Sequence, residues 1–556
     1  MQENLVIENL DHLGIVAGIV DEIGLVEVVN ELVGEDPREQ VSAGVVVKAM
    51  ILNGLGFVSA PLYLFEQFFV GKPTEHLLGS GVLAEHLNDD RIGRVLDKLY
   101  LVGVTPVFIA ICLRAAQRHN IEQHSAHLDA TSMSVQGAYI GADSGALSND
   151  GTAAIEIVHG YSRDHRPDLK QFVINLVCWG DGDIPAFISL GDGNQSDKAC
   201  FASLMRQFQQ QWDMEGVYVA DSALYSADNI TQMDPLEWVS RVPLTVGEAN
   251  ELLDFIDESA FVPSEAEGYR IAQVCSQYGG IRQRWLVVES AQRKASDLQQ
   301  LDKRLAKAAG QARRQVEALM RQSFACAADA QQATDQLDAQ LKQHHLTNVI
   351  ITERPCYDQP GRPATDAIPS AIRYVVKADV KPTAEEVARL RRRAGRFILA
   401  TNSLQAPEFG PAPATEQKAQ GSISLTADEI LAHYKAQQGT ERGFRFLKDP
   451  SFFTSSVFLH SPERVMALAM VMGLCLLVYN LGQRQLRHGL QATGHSLPNQ
   501  LGKPTQSPTL RWIFQSFMAI HLVAISGQKQ VAGLGENHRT ILRLLGSASQ
   551  SYYLLC

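Results

Sequence analysis

Three acidic side chains have the sequence context to do chemistry together. Asp129 lies in the apolar and β-branched segment LDATSM, which predicts a strand. Asp221 ends a second predicted strand, GVYVAD, and Glu441 lies in a predicted helix. An Asp at a strand end, taken alone, is more often a turn or cap residue. Three carboxylates brought together could instead hold two divalent cations and so cleave a phosphodiester bond.

The helix around Glu441 is predicted to run from Thr426 to Lys448. Thr426 and Glu429 have the spacing of a capping box, in which each side chain satisfies a backbone N–H at the helix start. Tyr434, Glu441 and Lys448 recur every seven residues, nearly two turns, and therefore share one polar stripe. The stripe is either a solvent-exposed face with chance spacing or part of a site.

The elements between the acids predict a sheet with helices on its faces. Two short apolar runs joined by the turn GDGDIP indicate a hairpin, residues 171–180 and 185–193. A helix over 196–212 precedes the strand that ends at Asp221, and residues 396–402 predict a further buried strand. Sites in open sheets of this kind form at strand ends. The fold class that this order predicts is α/β.

A long insertion separates the second acid from the third. We place it at residues 238–394, with strands at both ends and a helical run over 292–344 that is either a coiled, amphipathic element or a hairpin of surface helices. Its C-terminal part carries the densest positive cluster of the chain: Arg389, Arg391, Arg392, Arg393 and Arg396. Such a run is usually a solvated face, and beside the acids it could clamp phosphates.

The length, composition and cysteine usage of the chain predict a cytoplasmic protein of several domains. A chain of 556 residues is long for one core, and 45% hydrophobic and 20% charged residues are ordinary for a globular protein. The eight cysteines form no CxxC pair, so neither a zinc knuckle nor a disulfide framework is predicted. The acidic N-terminus lacks the basic and apolar regions of a signal peptide. The net charge of −12 disfavours coating of nucleic acid by the whole surface.

The two ends of the chain are predicted to be helical. Residues 1–120 contain eight Lys and Arg against sixteen Asp and Glu. This balance disfavours a module that binds DNA mainly through electrostatics. A helical module for packing or dimerisation is the alternative. The uncharged run Val465–Tyr479 is shorter than the roughly 20 residues that cross a bilayer, so we predict a buried core helix. A linker rich in Pro, Gly and Ser and a helix over 510–523 follow in the tail.

These acids and their helix resemble a known family. The chain is similar to the DDE transposases of bacterial insertion sequences, in the RNase H-like superfamily that includes the retroviral integrases. One subclass has the motif Tyr-(2)-Arg-(3)-Glu-(6)-Lys, and four residues have that spacing here: Tyr434, Gln437, Glu441 and Lys448. Gln437 departs from the motif's Arg, for which Arg442 or Arg445 could compensate. The segments LDATSM, GYSRDHRPDLKQ, GDGNQSD and VADSALYS also resemble blocks of this subclass.

The resemblance implies an RNase H-like catalytic core, a mixed sheet flanked by helices, interrupted by a mixed α+β insertion. The implied domains are a helical N-terminal module (1–120), the first part of the core (121–237), the insertion (238–394), the second part of the core (395–490) and a helical C-terminal tail (491–556).

The resemblance also implies a role for each site residue. Asp129, Asp221 and Glu441 would bind two Mg²⁺ or Mn²⁺ ions. The residues that would contact DNA are Tyr434, Gln437, Lys448, Arg442 and Arg445. The reaction would free a 3′-OH at each terminal inverted repeat and join it to target DNA, with a homodimer holding both ends and no membrane involved. Trp238 and Trp285 are either core residues or a grip for a flipped base, which some relatives have.

Three other functions remain open at this point. An RNase H-like nuclease without strand transfer would use the same three acids. An inactive DNA-binding remnant would not need them, so their presence favours an enzyme. A membrane protein is supported by the apolar run at 465–479 alone.

Overall fold

The computed structural model describes residues 5–57, 60–139, 147–162, 165–212, 215–357, 368–404, 424–449 and 459–555. Within these ranges it describes every side chain except those of residues 62, 197–199, 438, 440 and 441. The chain divides into two compact units. The first comprises Met1–Ser240, Gln277–Gln283 and Thr401–Cys556, and the second comprises Arg241–Ser276 and Arg284–Ala400. The second unit overlaps most of the predicted insertion, and the division into five domains stays a prediction.

The elements of the described residues are numbered in chain order. The helices are α1 Leu13–Ile23, α2 Leu25–Val33, α3 Ala43–Gly54, α4 Phe65–Phe68, α5 Thr74–Leu78, α6 Asp89–Val102, α7 Val104–His119, α8 Asp197–Trp212, α9 Ala227–Met233, α10 Gly247–Phe255, α11 Ala291–Arg321, α12 Ala327–Gln340, α13 Ala384–Arg393, α14 Ala427–Ala436, α15 Gln438–Leu447, α16 Pro462–Thr493, α17 Leu510–Ser516, α18 Glu536–Leu544 and α19 Ser547–Tyr552. The strands are β1 Leu5–Asn9, β2 Ser125–Val135, β3 Lys170–Trp179, β4 Ile184–Gly191, β5 Val217–Ala220, β6 Glu237–Arg241, β7 Val262–Pro263, β8 Tyr269–Tyr278, β9 Ile281–Ser290, β10 His344–Cys356, β11 Ala371–Pro382, β12 Arg396–Thr401, β13 Leu497–Pro498, β14 Pro504–Thr505, β15 His521–Ile525 and β16 Gln528–Ala532.

The first unit is built around a mixed sheet whose strands adjoin in the order β4-β3-β2-β5-β6. Strand β3 is antiparallel to both β2 and β4, whereas β5 is parallel to both β2 and β6. The predicted hairpin and the helix after it form where expected, and the strand predicted to end at Asp221 ends one residue earlier, at Ala220. The mixed α/β class predicted from the sequence is therefore confirmed.

Each face of this sheet is covered by helices. On one face, the ring of Phe208 in α8 packs against Trp179 of β3 and Tyr218 of β5, with centroids 5.1 and 6.2 Å apart. On the other face, α7 and α16 lie close to β4. Gly473 of α16 has no side chain, and a Cβ there would press on Phe108 and Ile188. A glycine at this position therefore permits a close approach of helix to sheet.

Helix α16 contains the apolar run Val465–Tyr479, for which a membrane span and a buried core helix were the alternatives. By length and composition alone it is long and apolar enough to cross a membrane, and the bent pair of α6 and α7 passes the same test as one span. However, 94% of the most apolar window of α16 is buried inside the protein. This burial agrees with the predicted core helix.

The N-terminal helices and the C-terminal tail build one structure. Strand β1 pairs with β15, which also pairs with β16. Helix α19 packs on α1, where Gly18 lies against the backbone of Ser549. The buried Lys48 ammonium donates to Asp21 at 2.6 Å and to the Tyr552 hydroxyl at 2.8 Å.

Both ends were predicted to be helical, and the structure adds strands to both. The helix predicted over 510–523 ends at Ser516, because the β-branched HLVAI segment that follows finds strand partners in β1 and β16. The linker after α16 contains the short antiparallel pair of β13 and β14.

In the second unit, β12, β9, β8 and β7 adjoin in that order. Separately, helices α11 and α12 pack on the antiparallel pair β10–β11 around Val316, Leu319, Ala330 and Val376. The helical run predicted over 292–344 is thus two helices rather than one continuous coil. This outcome corresponds to the predicted hairpin of surface helices.

We expect Gly18→Ala to destabilise the protein, because its methyl group would lie about 2.5 Å from the Cα of Ser549. Overpacking of this kind costs about 1–3 kcal/mol. Thermal unfolding of the full chain measures the effect. Gly310→Ala is the control: it is in α11 with no atom within 4 Å of the new methyl group, and should be stabilising by about 0.5–1 kcal/mol. An unchanged melting temperature for Gly18→Ala would contradict the docking of α19 on α1.

Candidate functional site

The parallel pairing of β2 with β5 brings Asp129 and Asp221 to adjacent positions. The last paired residues are Leu128 and Ala220; Asp129 comes next within β2, and Asp221 is the first residue after β5. Neighbouring strands are about 4.8 Å apart, and side chains at matched positions point to the same face. Both aspartates are partly exposed. The structure therefore places the first two predicted acids side by side.

Local hydrogen bonds orient both carboxylates. Asp129 Oδ1 accepts from the backbone N–H of Ala130, and Asp221 Oδ1 accepts from the N–H of Ala223, each at 2.8 Å. The carbonyl of Asp221 also accepts from the Ser240 hydroxyl at 2.9 Å. Asp221 thus stabilises the turn after β5, which agrees with the role of a turn or cap residue. Its carboxylate still lies at the end of the strand.

The aspartates lie on the sheet face opposite α8. Trp179 and Tyr218 both pair with Ala126, so all three share the α8 face. Side chains alternate along a strand, which turns Asp129 to the other face. Helix α15 lies against β2 and β3 and also contacts α16, while α14 lies against β5. Helices α14 and α15, which carry Tyr434 and Glu441, therefore lie on the acid-bearing face.

The predicted helix over 426–448 is interrupted at Gln437. It begins with the expected capping box: Thr426 Oγ1 accepts from the Glu429 N–H at 3.2 Å, and Glu429 accepts from the Thr426 N–H at 2.8 Å. At Gln437 the backbone N–H bonds three residues back, to Tyr434, at 3.3 Å. This tighter turn separates α14 from α15. The prediction of one continuous helix is therefore wrong, whereas the stripe of Tyr434, Glu441 and Lys448 stays a prediction.

The residues predicted to contact DNA differ in exposure. Arg442 and Arg445 are exposed, and Tyr434 and Lys448 are partly exposed. Gln437 is only 5% exposed, so its side chain packs inside the protein. The residue that replaces the motif's Arg is thus unsuited to direct DNA contact in this conformation. The other four contacts stay predictions.

Glu441 lies in α15, and its side chain falls outside the described part of the structure. Among the described side chains, no group of three or more His, Cys, Asp or Glu is placed to hold a metal ion. Because the side chain of Glu441 is not among those described, the set of three acids stays a prediction. The described geometry supports its first two members.

Asp183, which was not among the residues predicted from the sequence, packs against the start of α15. It lies in the β3–β4 turn with φ of 58°, and its carbonyl accepts from Asn480 at 2.7 Å. Its carboxylate touches Gly439, and Arg442 lies 3.5 Å away. Burial raises the pKa of Asp183, partly opposed by the positive charges of Arg442 and Arg487. The only signal in the sequence was the turn GDGDIP.

A buried histidine, His127, lies on the same sheet face two residues before Asp129. Its Nε2 is 3.1 Å from the Ser125 hydroxyl. Burial, with a smaller effect of nearby His433, lowers the pKa of His127 to about 3. The ring is therefore neutral at neutral pH and adds no positive charge beside the acids. Burial also lowers the pKa of His433.

The arginine cluster of the second unit is largely neutralised within that unit. Its ion pairs are Arg389 with Glu386 and Asp254, Arg391 with Asp302, Arg393 with Asp254, and Arg396 with Glu258 and Glu289. Four of the five arginines are therefore paired with carboxylates of their own unit and are not free to clamp phosphates. Trp238 and Trp285 are both fully buried, as expected of core residues rather than a base grip.

Comparison with known proteins gives a match to a family over part of the chain and a distant structural similarity. Residues 5–113 match a family described as a domain of unknown function, DUF4277. No curated protein matches the chain. Among solved structures, the chain is similar to a piggyBac transposase in a synaptic complex with hairpin DNA, at 10% sequence identity and a TM-score of 0.34, over 90% of this chain and 77% of that one. A similarity of this size establishes neither fold nor activity.

We expect Gly439→Ala to lower stability, because a Cβ at this position would overlap Asp183 Oδ1. The cost of such overpacking is about 1–3 kcal/mol, against the gain of roughly 1 kcal/mol that Ala normally brings to a helix. Chemical unfolding of the full chain measures it.

Asp183→Gly supplies the matched background, since glycine accepts the left-handed backbone at this turn. In that background Gly439→Ala should be neutral or stabilising. An equal loss of stability in both backgrounds would show that Asp183 does not anchor α15.

Proposed function

We propose that this protein is a DDE-type transposase, which cleaves DNA at the ends of an insertion element and joins the 3′-OH ends to target DNA. The observation that carries the proposal is the register of β2 and β5, which sets Asp129 beside Asp221 on the face covered by α14 and α15. The mixed sheet agrees with the RNase H-like core that the resemblance implies. Glu441 would complete the set from α15.

The two aspartates suit a hard divalent cation such as Mg²⁺ or Mn²⁺. They offer carboxylate oxygens at neighbouring, partly exposed positions, which is the chemistry that Mg²⁺ prefers. Like charges this close repel one another, and a bound cation would remove that repulsion. Two bound ions would supply an activated nucleophile and neutralise the charge on the leaving oxygen.

The protein's own groups would hold this site and the DNA end. The N–H groups of Ala130 and Ala223 fix the direction of the two carboxylates. Asp183 would hold the first turn of α15 against the sheet and so set the position of Glu441. Lys448 and Arg445 would contact the phosphates near the cleaved end, since cations provide most of the affinity for a DNA backbone.

The expected partners follow from the reaction. Two element ends, each a terminal inverted repeat, must be held near one target duplex, so we propose a homodimer acting in the cytoplasm. Short inverted repeats bounded by direct duplications in the DNA around the gene would support this function directly.

A nuclease without strand transfer is the second candidate, because the same acids would serve it. The two functions differ in one product. A transposase joins a labelled 3′-OH end to a second duplex, whereas the nuclease releases the end and stops.

We predict that Asp129→Asn, Asp221→Asn and Glu441→Gln each abolish Mg²⁺-dependent DNA cleavage, because each removes a charged metal ligand without changing side-chain size. Fold and DNA binding should be retained, as judged by thermal unfolding and gel shift. Asp36→Asn, at an acid near the N-terminus paired with Arg38, is the control and should cleave normally. Cleavage by any one acid variant at the wild-type rate would remove that residue from the site.

We predict that Lys448→Ala weakens binding to element ends and lowers the slope of log affinity against log salt by about 1, the change for one phosphate contact. Lys503→Ala removes an exposed lysine near the β13–β14 pair and should leave the slope unchanged. Titrations of a labelled element end at several salt concentrations give both slopes. Equal slopes for wild type and Lys448→Ala would rule out a phosphate contact.

A further inference from the structure

The two strands β10 and β11 form an antiparallel ribbon with one packed face and one exposed face. The packed face contributes Leu346, Ile351, Val376 and Ala378 to a core shared with α11 and α12. Side chains alternate along each strand, so the residues between these point away from the helices. The ribbon therefore presents a complete outer face made from two strands.

The outer face is strongly basic. Its exposed cations are Arg354, Arg373, Lys377 and Lys381. Arg354 is paired across the ribbon with Arg373, while Lys377 is opposite Ile350. The acid on this face is Asp379, whose carboxylate accepts from the Asn348 side chain at 2.9 Å. Within the described part of the chain, none of the four cations forms an ion pair.

These four cations lie together on one face of a chain whose net charge is −12. By comparison, four of the five arginines in and beside α13 form ion pairs with carboxylates of their own unit. Directly opposed like charges across strands are destabilising unless a counter-charge is supplied. Arg354 and Arg373 face each other in this way, so an anionic partner would relieve their repulsion.

A ribbon of two strands is a kind of element that enters the groove of a duplex. A major groove about 12 Å wide admits a two-stranded ribbon, and several DNA readers use one. Between Thr347 and Ile350 the pairing shifts at a bulge, which increases the right-handed twist of the ribbon. The cations on β11 recur every four residues, about 13 Å apart, and can reach phosphates along the groove. Ile350 is 54% exposed between them, an apolar side chain available to base edges.

We propose that the β10–β11 ribbon is a DNA-binding surface that enters a groove of duplex DNA, with Arg354, Arg373, Lys377 and Lys381 on the phosphates and Ile350 towards the bases. The inference rests on the proposed function only for the choice of DNA as the polyanion. It assigns the second unit a role in holding DNA, separate from the acids of the first unit.

Helix α11 provides a matched comparison. It carries exposed Lys303 and Lys307, also four residues apart, on the side opposite the buried Leu301 and Ala312. Because α11 packs beneath the inner face of the ribbon, these lysines point away from the ribbon's outer face. Changing either lysine pair to glutamine removes the same charge from the same unit.

The experiment measures affinity of the full chain for a fluorescent duplex of about 30 base pairs, long enough to cover the ribbon, in EDTA and at several salt concentrations. Without divalent metal, binding is read independently of cleavage, so failure of the transposase chemistry and failure of this proposal are separate results. We expect Lys377→Gln/Lys381→Gln to weaken binding about tenfold and to lower the salt slope by about 2, one for each phosphate contact. Lys303→Gln/Lys307→Gln should bind like wild type.

Equal weakening by both double variants would overturn the proposal, since only net charge would then matter. Weakening by the α11 variant alone, or by neither, would overturn it as well. Thermal unfolding confirms that each variant is folded.

A single variant tests entry into the groove. Ile350→Ala should weaken binding without changing the salt slope, because an apolar contact with bases displaces no counterions. Unchanged affinity would show that the ribbon lies along the backbone and does not enter the groove.

Discussion

Parallel pairing of β2 with β5 is the interaction on which the rest of the candidate site depends. Backbone hydrogen bonds hold Asp129 and Asp221 at neighbouring positions, although their negative charges repel. A slip of one residue in β2 would turn Asp129 to the face where Phe208 packs on Trp179. The packing of α8 therefore fixes the register, and the register creates a pair of acids that a cation would stabilise.

The third acid is positioned by a different kind of contact. Helix α15 begins after a tight turn at the buried Gln437, and its second residue, Gly439, is pressed against Asp183 from the β3–β4 turn. A turn of the hairpin thus sets the start of the helix on which Glu441 lies. The same hairpin forms the edge of the sheet that carries Asp129, so strand and helix are held by one piece of structure.

Cations that look alike in the sequence differ in whether the fold pairs them with a carboxylate. Four of the five arginines between Arg389 and Arg396 form ion pairs within their unit. The four cations of the β10–β11 ribbon are scattered from Arg354 to Lys381 and only come together through strand pairing. Density along the chain therefore did not indicate which cations would be available to a polyanion.

The sequence by itself determined the local elements of this protein. Alternating apolar residues, a capping box and turn residues are local signals, and they predicted the strands around Asp129 and Asp221, the hairpin and the start of α14. The prediction of a continuous helix through Gln437 was wrong. The helix breaks at a tight turn where Gln437 is buried, and no signal in the neighbouring residues indicates either feature. Strand β1 was not predicted, because it forms by pairing with β15, which lies at the far end of the chain. Only the tertiary structure decided which acids are neighbours, which arginines are neutralised and which face of the ribbon is exposed, because register, burial and ion pairing join residues that the sequence separates.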